Sequence, residues 1–286
     1  MASCGSTQLA MLLTEKETDA GTPGSVQTIG NGWTPASPNS PQSPVCGAYL
    51  LRFAEGREDV RAALRLRFLV FNLELCEGLE SAYETGYDTD QFDKTCDHLI
   101  VEHRPSRQVV GTYRLQTGRV AAENLGYYSA REFDFSPYEP IRNTLVELGR
   151  ASIHRDHRSF EVLTLLWRGI ASYALQRNAR YLIGCSSLTS KCPKEGSDMY
   201  WRLQKFLVAP VLRTNPRPSF RIPIEEAPSD TLRINPPRLL RTYLSIGAQI
   251  CGKPAIDREF KTIDFLTLLD LTKLGSSARL RFFRNK

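Results

Sequence analysis

Apolar residues recur along the chain with two spacings, one typical of strands and one typical of helices. The predicted order is β-α-β-β-β-α-β-α-β, an α+β arrangement in which helices flank a mixed, mostly antiparallel sheet. Strands are predicted over 48–53, 98–102, 109–115, 145–153, 181–185 and 265–271. Helices are predicted over 58–71, 160–179 and 199–208, with a short one opened by Pro237 and closed by Gly247.

The two ends of the chain lack this pattern. Residues 1–46 are rich in Gly, Ser, Thr and Pro, so we expect a disordered tail that buries too little apolar surface to order itself. Residues 47–275 then form one domain, and residues 276–286 form a basic tail that can lie on anionic lipid. Without a membrane-spanning run or a signal peptide, we expect a cytoplasmic protein with peripheral contact at the inner face of the membrane.

The net charge of +6 favours an anionic partner, either an acidic protein or an anionic membrane surface. Nucleic acid is not expected, because no recognition helix or base-stacking motif accompanies the charge. The seven cysteines form no CxxC pair, which is typical of reduced thiols. Their spacing with the histidines matches no common zinc site, so no metal is expected.

Charged side chains interrupt several of the apolar segments. Arg67 lies between Leu64 and Phe71 on the apolar stripe of the first helix. Arg114 and Glu147 lie inside predicted strands. A guanidinium keeps its charge, so an arginine that faces a core needs a fixed carboxylate partner. At the edge of the stripe, Arg67 could instead reach solvent.

Two further carboxylates, Asp90 and Asp93, lie in the loop before the second strand. Together the charged residues predict either a buried ion-pair network or a polar substrate site, and the residues alone leave both open. Glu147 and Arg150 are three residues apart, so a regular strand would point them to opposite faces. They can share one pocket only if the strand bulges near Gly149.

Four ordered segments carry a resemblance to a known family: Arg67-Phe-Leu-Val-Phe71, Asp90-Gln-Phe-Asp93, Gly111-Thr-Tyr-Arg114 and Glu147-Leu-Gly-Arg150. They resemble the motifs of acyl-homoserine-lactone synthases and long-chain N-acyl amino acid synthases, two branches of the GNAT superfamily. The resemblance is strongest for the ornithine lipid N-acyltransferases, often labelled hemolysin-like, and covers roughly residues 48–275. Segments 126–134, 165–170, 181–187 and 254–257, and the dipeptide Asp264-Phe, add to it.

The resemblance implies a GNAT-like enzyme that transfers a long-chain acyl group to the α-amine of an amino acid, with ornithine as the first candidate. The implied donor is the phosphopantetheine thioester of acyl carrier protein, an acidic partner, and no tightly bound cofactor is implied. The segment 154–161 lacks the Gly-rich turn that usually holds the coenzyme A pyrophosphate, which favours a carrier protein. The implied site residues are catalytic Glu147, Arg150 and Asp93, substrate-binding Arg67, Phe71, Asp90 and Arg114, and donor-binding Arg155, Arg158 and Ser159.

In such a scheme the amine attacks the thioester directly, with Glu147 as the base and backbone N–H groups near the bulge stabilising the oxyanion. A cysteine nucleophile, Cys185 or Cys96 near His98, is the alternative, although Cys185 lies in an apolar strand and is expected to be inert packing. Three other functions stay open: acyl-homoserine-lactone synthesis, coenzyme A-dependent acetyl transfer, and a membrane-binding protein without catalysis.

Overall fold

A computed structural model describes residues 45–226 and 235–283. Most of the predicted tail, residues 1–44, lies outside the described residues, as do residues 284–286. The strands are β1 (Val45–Cys46), β2 (Tyr49–Phe53), β3 (Asp97–His103), β4 (Gln108–Thr117), β5 (Leu145–Ile153), β6 (Tyr181–Leu188), β7 (Gln249–Ile250), β8 (Ala255–Asp257) and β9 (Thr262–Asp270). The α-helices are α1 (Arg57–Phe68), α2 (Ala82–Thr85), α3 (Gly118–Glu123), α4 (Phe160–Gln176), α5 (Pro193–Arg202), α6 (Arg238–Ser245) and α7 (Ser276–Phe283).

The strands form one sheet in the order β1-β2-β3-β4-β5-β6-β9-β7, with β8 also paired to β9. Neighbouring strands of this sheet run antiparallel, except that β5 and β6 are parallel. The predicted α+β class and the mixed, mostly antiparallel sheet are therefore confirmed.

Helix α4 covers one face of the sheet and α1 covers the other. The apolar stripe of α4 includes Leu163, Leu166 and Ile170, all buried in the main core. As predicted, Ser159 caps this helix, and its hydroxyl accepts a hydrogen bond of 3.3 Å from the amide of Val162. Because side chains alternate across a strand, the residues of β4 divide between the core under α4 and a polar layer under α1.

Strands β5 and β6 pair only over their first residues, from Leu145↔Tyr181 to Glu147↔Ile183, and then separate. Gly184 marks the point of separation, since a Cβ there would come 2.2 Å from the carbonyl oxygen of Leu148. Only a glycine allows the two strands to approach so closely before they part. The second half of β5 consequently has a strand partner on one side only, which is β4.

Helix α1 passes without a break into a π-helical segment, Leu69–Glu74. Its wider turns are seen in the hydrogen bond of 3.0 Å from the amide of Leu75 to the carbonyl of Val70. The π-turn changes the direction of the side chains that follow, and it turns Phe71 and Glu74 toward the opening between β5 and β6. Segments of π-helix inside α-helices occur frequently at functional sites.

Three expectations need correction. Val45 and Cys46, assigned to the tail, form β1 against β2. The helix expected over 199–208 is α5, which begins earlier at Pro193, because proline suits the first turn of a helix. The basic segment expected to be a free tail is helical from residue 276 to 283, and Phe282 packs 5.4 Å from the ring of Trp167 on α4.

Within the two described ranges, no helix combines the length and the hydropathy that crossing a bilayer requires.

Candidate active site

A cavity of about 290 Å³ opens where β5 and β6 separate. The π-helical segment closes it on one side, and the first turn of α6 borders it on another. Its lining includes charged residues of both signs: Glu74, Glu77, Arg114, Glu147, Arg150, Arg158, Arg238, Asp257 and Asp264. A concave site with several ionisable groups is the expected place for a polar substrate.

Arg67 anchors a buried ion-pair network behind the cavity. Its side chain is inaccessible to solvent. Its Nη1 and Nη2 donate to the two carboxylate oxygens of Asp93 at 2.6 and 3.2 Å. Its Nε donates to Oδ1 of Asp88 at 2.6 Å. The sequence-based prediction that Arg67 faces the core and needs carboxylate partners is confirmed, although Asp88 was not among the residues predicted.

Arg114 and Arg150 extend this network toward the cavity. Nη1 of Arg114 donates to Asp90 at 2.6 Å and to Asp93 at 3.0 Å. Nη2 of Arg150 donates to Asp90 at 3.0 Å. The guanidinium of Arg150 lies 4.7 Å from the ring centre of Tyr128. Three arginines thus meet three aspartates, so the buried charges balance.

Asp90 and Asp93 are held by backbone donors as well as by the arginines. Asp90 and Asp93 form a capping box around the short 3₁₀ helix 91–94, and each accepts a backbone hydrogen bond as well as its ion pairs. Burial alone would raise the pKa of Asp93, but the Arg67 and Arg114 guanidiniums outweigh it and hold that pKa well below its usual range. Arg67, Asp90 and Asp93 do not line the cavity, unlike Arg114 and Arg150. This placement favours a structural role for Asp93 over the predicted catalytic one.

Glu147 lies at the edge of the cavity and is held by three donors. Its Oε2 accepts from Nε2 of Gln116 at 2.6 Å and from the amide of Tyr128 at 2.8 Å. Among the described residues, its Oε1 has one donor, the amide of Ser129, at 2.8 Å. Since a carboxylate oxygen has two lone pairs, Oε1 keeps one for a substrate or a water molecule.

The predicted bulge in β5 is confirmed. Thr112 of β4 pairs with Ser152, whereas Arg114 pairs with Gly149, so β5 carries one residue more than β4 between these pairs. The residue with left-handed backbone is Arg150, whose φ is 52°, and not the neighbouring glycine. The bulge brings Glu147 and Arg150 into the lining of the same cavity.

The three residues predicted to bind the donor occupy different environments at the N-terminal end of α4. Arg155 is exposed on the loop. Arg158 lines the cavity and forms a two-pronged ion pair with Glu74, in which its Nη2 lies 2.6 Å from Oε2. The hydroxyl of Ser159 serves the helix cap.

The cavity also has an acidic end that sequence reasoning missed. Glu77, Asp257 and Asp264 line it, and Glu132 lies against Asp264. Burial raises the pKa of Glu77 to about 7, with Asp264 adding to the effect. Burial also raises the pKa of Asp264 to about 6 and that of Glu132 well above its usual range. Glu132, Asp257 and Asp264 lie in segments that carry the resemblance, whereas Glu77 does not, and no sequence signal marked any of the four as polar and buried.

The two cysteines weighed as nucleophiles are poorly suited to that role. Burial raises the pKa of Cys96 to about 12. Burial also raises the pKa of Cys185 well above its usual range, and Glu132 and Asp264 add to this. Because the thiolate is the nucleophilic form, both thiols are held in the unreactive state.

Comparison with known proteins agrees with this geometry. A family model described as an acetyltransferase (GNAT) domain matches residues 66–168. An L-ornithine N(alpha)-acyltransferase of Brucella abortus is 30% identical over 249 residues, which cover 80% of this chain and 87% of that protein. This chain belongs to the L-ornithine N(alpha)-acyltransferase family. An acyltransferase of the same name from Rhodobacter capsulatus is 29% identical over 248 residues, 81% of this chain and 93% of that one.

A solved structure of this fold is that of FeeM, an N-acyl amino acid synthase from uncultured soil microbes. It aligns with this acyltransferase at a TM-score of 0.51 and 12% identity, over 82% of this chain and 98% of FeeM. The GNAT-like fold and the acyltransferase class implied by the sequence resemblance are confirmed.

Asp93→Asn should reduce the free energy of unfolding by about 3–5 kcal/mol at neutral pH, because it leaves buried guanidinium charge without its carboxylate. Urea titration measures the loss, and Asp156→Asn is the control, since the Asp156 side chain is 74% exposed. The folded pKa of Asp93 lies below the unfolded value of about 3.9, so its contribution is present above that pH. The difference between wild type and Asp93→Asn should therefore narrow as the pH falls below about 4. Equal stability of the two variants at neutral pH would contradict the ion-pair assignment.

Proposed function

We propose that this acyltransferase moves a long-chain fatty acyl group from the thioester of an acyl carrier protein to the α-amine of L-ornithine. The observation that carries the proposal is a single cavity that joins a carboxylate with a free lone pair, Glu147, to two arginines and an acidic end. The names of the relatives support ornithine as the acceptor.

Glu147 is the proposed base. The acceptor amine must be neutral before it attacks the thioester carbonyl, after which the C–N bond forms and the C–S bond breaks. Oε1 of Glu147 receives the proton that leaves the nitrogen, directly or through a water molecule. The leaving sulfur takes up this proton, and the proposed route is a relay from Glu147 through water and the hydroxyl of Ser152, which gives one proton and receives another. The buried Oγ of Ser152 lines the cavity and has no partner among the described residues.

Backbone N–H groups of β5 are the proposed oxyanion donors. Beyond Glu147 the strand no longer pairs with β6, so its groups on that side face the opening between the two strands. The bulge at Arg150 alters their direction relative to a regular strand. Fixed N–H groups near a developing oxyanion typically contribute about 2.7–4 kcal/mol each to transition-state stabilisation.

Arg114 and Arg150 are the proposed binding groups for the acceptor carboxylate. Both line the cavity, while Nε of Arg150 faces Asp88 at 3.3 Å and so helps to fix that guanidinium. Two guanidiniums on one wall suit a carboxylate, whose two oxygens can each accept a charged hydrogen bond. Arg67, Asp90 and Asp93 then act indirectly, by fixing the positions of these two arginines. Phe71, on the π-helical segment, supplies apolar wall beside them.

The donor would enter from the N-terminal end of α4. Arg155 is exposed there and is available for the phosphate of a phosphopantetheine arm or for an acidic carrier surface. A second, smaller cavity of about 60 Å³ shares Leu148 and Cys185 with the first and is lined by apolar residues such as Leu182, Trp167 and Leu269. We assign it to the first methylenes of the acyl chain.

Product identification tests the proposed function. The purified protein is incubated with palmitoyl carrier protein or palmitoyl-coenzyme A, each with L-ornithine, and the products are identified by mass spectrometry. The expected product is N-α-palmitoylornithine, formed faster from the carrier protein. A lactone product, activity with acetyl-coenzyme A alone, or no transfer to any amino acid would contradict the proposal.

Glu147→Gln should lower kcat by about 10²–10⁴-fold, the usual contribution of a general base. The side-chain amide of the new glutamine would also place an N–H group against at least one of the three donors that now bond to Glu147, which can destabilise the fold. Thermal unfolding must therefore show that the variant is folded. Formate added to the folded variant should restore part of the activity by supplying an external base. If the substitution instead lowered kcat by displacing the backbone around residue 147, formate would restore no activity. A folded variant with kcat within about tenfold of wild type would rule out Glu147 as the base.

A further inference from the structure

We infer that the acidic end of the cavity binds the side-chain ammonium of a basic acceptor amino acid and so selects ornithine over uncharged amino acids. The inference rests on the proposed function, and it names residues that the acyl-transfer step itself does not require. The acidic end consists of Glu77, Glu132, Asp257 and Asp264.

These four carboxyl groups have no cationic partner of their own. Among residues 45–226 and 235–283, no lysine or arginine forms a salt bridge with any of them. Arg131, which is next to Glu132 in sequence, pairs instead with the exposed Glu259 at 3.3 Å. Arg150 is engaged by Asp90 and Tyr128. Buried carboxyl groups normally have a cation or a set of donors, and within the described ranges no cation lies at ion-pair distance from these four.

Three of the carboxyl groups also have an oxygen that is buried and unsatisfied. Oε1 of Glu77, Oε2 of Glu132 and Oδ1 of Asp264 have no hydrogen-bond partner in the described structure. The three residues are only 7%, 2% and 5% exposed. Glu77 and Asp264 line the cavity directly. A buried carboxylate oxygen that faces a cavity without a donor is an incomplete site for a ligand that donates hydrogen bonds.

An ammonium group fits this arrangement better than a neutral donor. It carries three N–H donors and a positive charge, which would satisfy several carboxyl oxygens at once. Without it, burial and mutual repulsion raise the pKa values of Glu77 and Asp264 to about 7 and about 6. A bound ammonium would oppose this effect, because a nearby positive charge favours the charged form of a carboxyl group.

The sheet register places Cys185, which lies beside two of the acids, two residues along β6 from the strand partner of Glu147. Glu147 pairs with Ile183 of β6, and Cys185 lies two residues further along that strand, which is roughly 7 Å. The Cys185 sulfur lies within 4.8 Å of carboxylate oxygens of both Glu132 and Asp264. A step of this size is comparable with the three methylenes that separate the α-carbon of ornithine from its terminal nitrogen. With its α-amine at Glu147, ornithine would place its ammonium at the acids.

A metal ion is the other cation that Glu132, Cys185 and Asp264 could hold, given the spacing of their ligand atoms. Glu77 and Asp257, however, line the cavity on the same side and offer two more carboxyl groups than such a three-residue site needs. The cavity also connects these acids with Glu147, as an elongated diamino acid requires and an isolated metal site does not. The ammonium is therefore the occupant that we propose.

Binding measurements test the inference without depending on turnover. Isothermal titration calorimetry gives the Kd of ornithine and of norvaline, which has the same carbon chain without the terminal ammonium. Ornithine should bind wild type about 10- to 100-fold more tightly than norvaline, the range expected for one charged hydrogen-bonding group. Asp264→Asn should remove most of that preference, because the Kd of ornithine should rise while the Kd of norvaline stays unchanged. Glu77→Gln is a second variant with the same expectation, and Glu259→Gln, an exposed acid outside the cavity, should keep the preference.

The inference would be overturned if Asp264→Asn and Glu77→Gln raised the Kd of ornithine and of norvaline by the same factor. Equal Kd values of the two ligands for wild type would also overturn it. Loss of ornithine binding on EDTA treatment, restored by Zn²⁺, would also overturn it and assign the acids to a metal. The proposed function fails separately: ornithine would still bind with the stated preference, but no acylated product would form from any donor.

Discussion

The site depends on one buried guanidinium, that of Arg67. This charge cannot be removed by deprotonation, so the chain must supply carboxylates to it inside the core. Asp93 and Asp88 do so, and the same loop carries Asp90, which in turn holds Arg114 and Arg150. Helix α1, the 88–93 loop, β4 and β5 are thereby joined through ion pairs that position the polar wall of the cavity.

The network also accounts for an unusual backbone. Arg150 has a φ of 52°, and left-handed backbone in a non-glycine residue costs on the order of 1–3 kcal/mol. Its side chain is fixed by Asp90 and Tyr128, and it stacks 4.3 Å from the ring centre of Phe260. These contacts stabilise the bulge, and the bulge lets Glu147 and Arg150 face one cavity. The arginine network and the catalytic proposal are therefore linked through the geometry of a single strand.

Much of this could be predicted from sequence, for reasons that differ by residue. Arg67 was identified because an arginine on an apolar helical stripe is physically costly. The bulge was predicted because Glu147 and Arg150 have the wrong spacing for a regular strand. Asp88 was missed because a carboxylate in a loop is usually solvated, and its burial depends on α1 packing above it.

The acidic end and α7 show where such prediction stops. Glu77, Glu132 and Asp264 come from three separate segments, and only the sheet register and the π-helical turn bring them to one cavity. In α7, the role of Phe282 comes from its packing against Trp167, which lies more than a hundred residues earlier in the chain. Local pattern predicts the elements, whereas these contacts belong to the tertiary structure.

The central claim is that the cavity orients a diamino acid between Glu147 and the acidic end. A crystal structure of the acyltransferase with L-ornithine bound tests it most directly. The account predicts the α-nitrogen beside Oε1 of Glu147 and the terminal nitrogen within about 3.2 Å of Oδ1 of Asp264. Ornithine bound in the reverse direction, or with its terminal nitrogen in solvent, would contradict it.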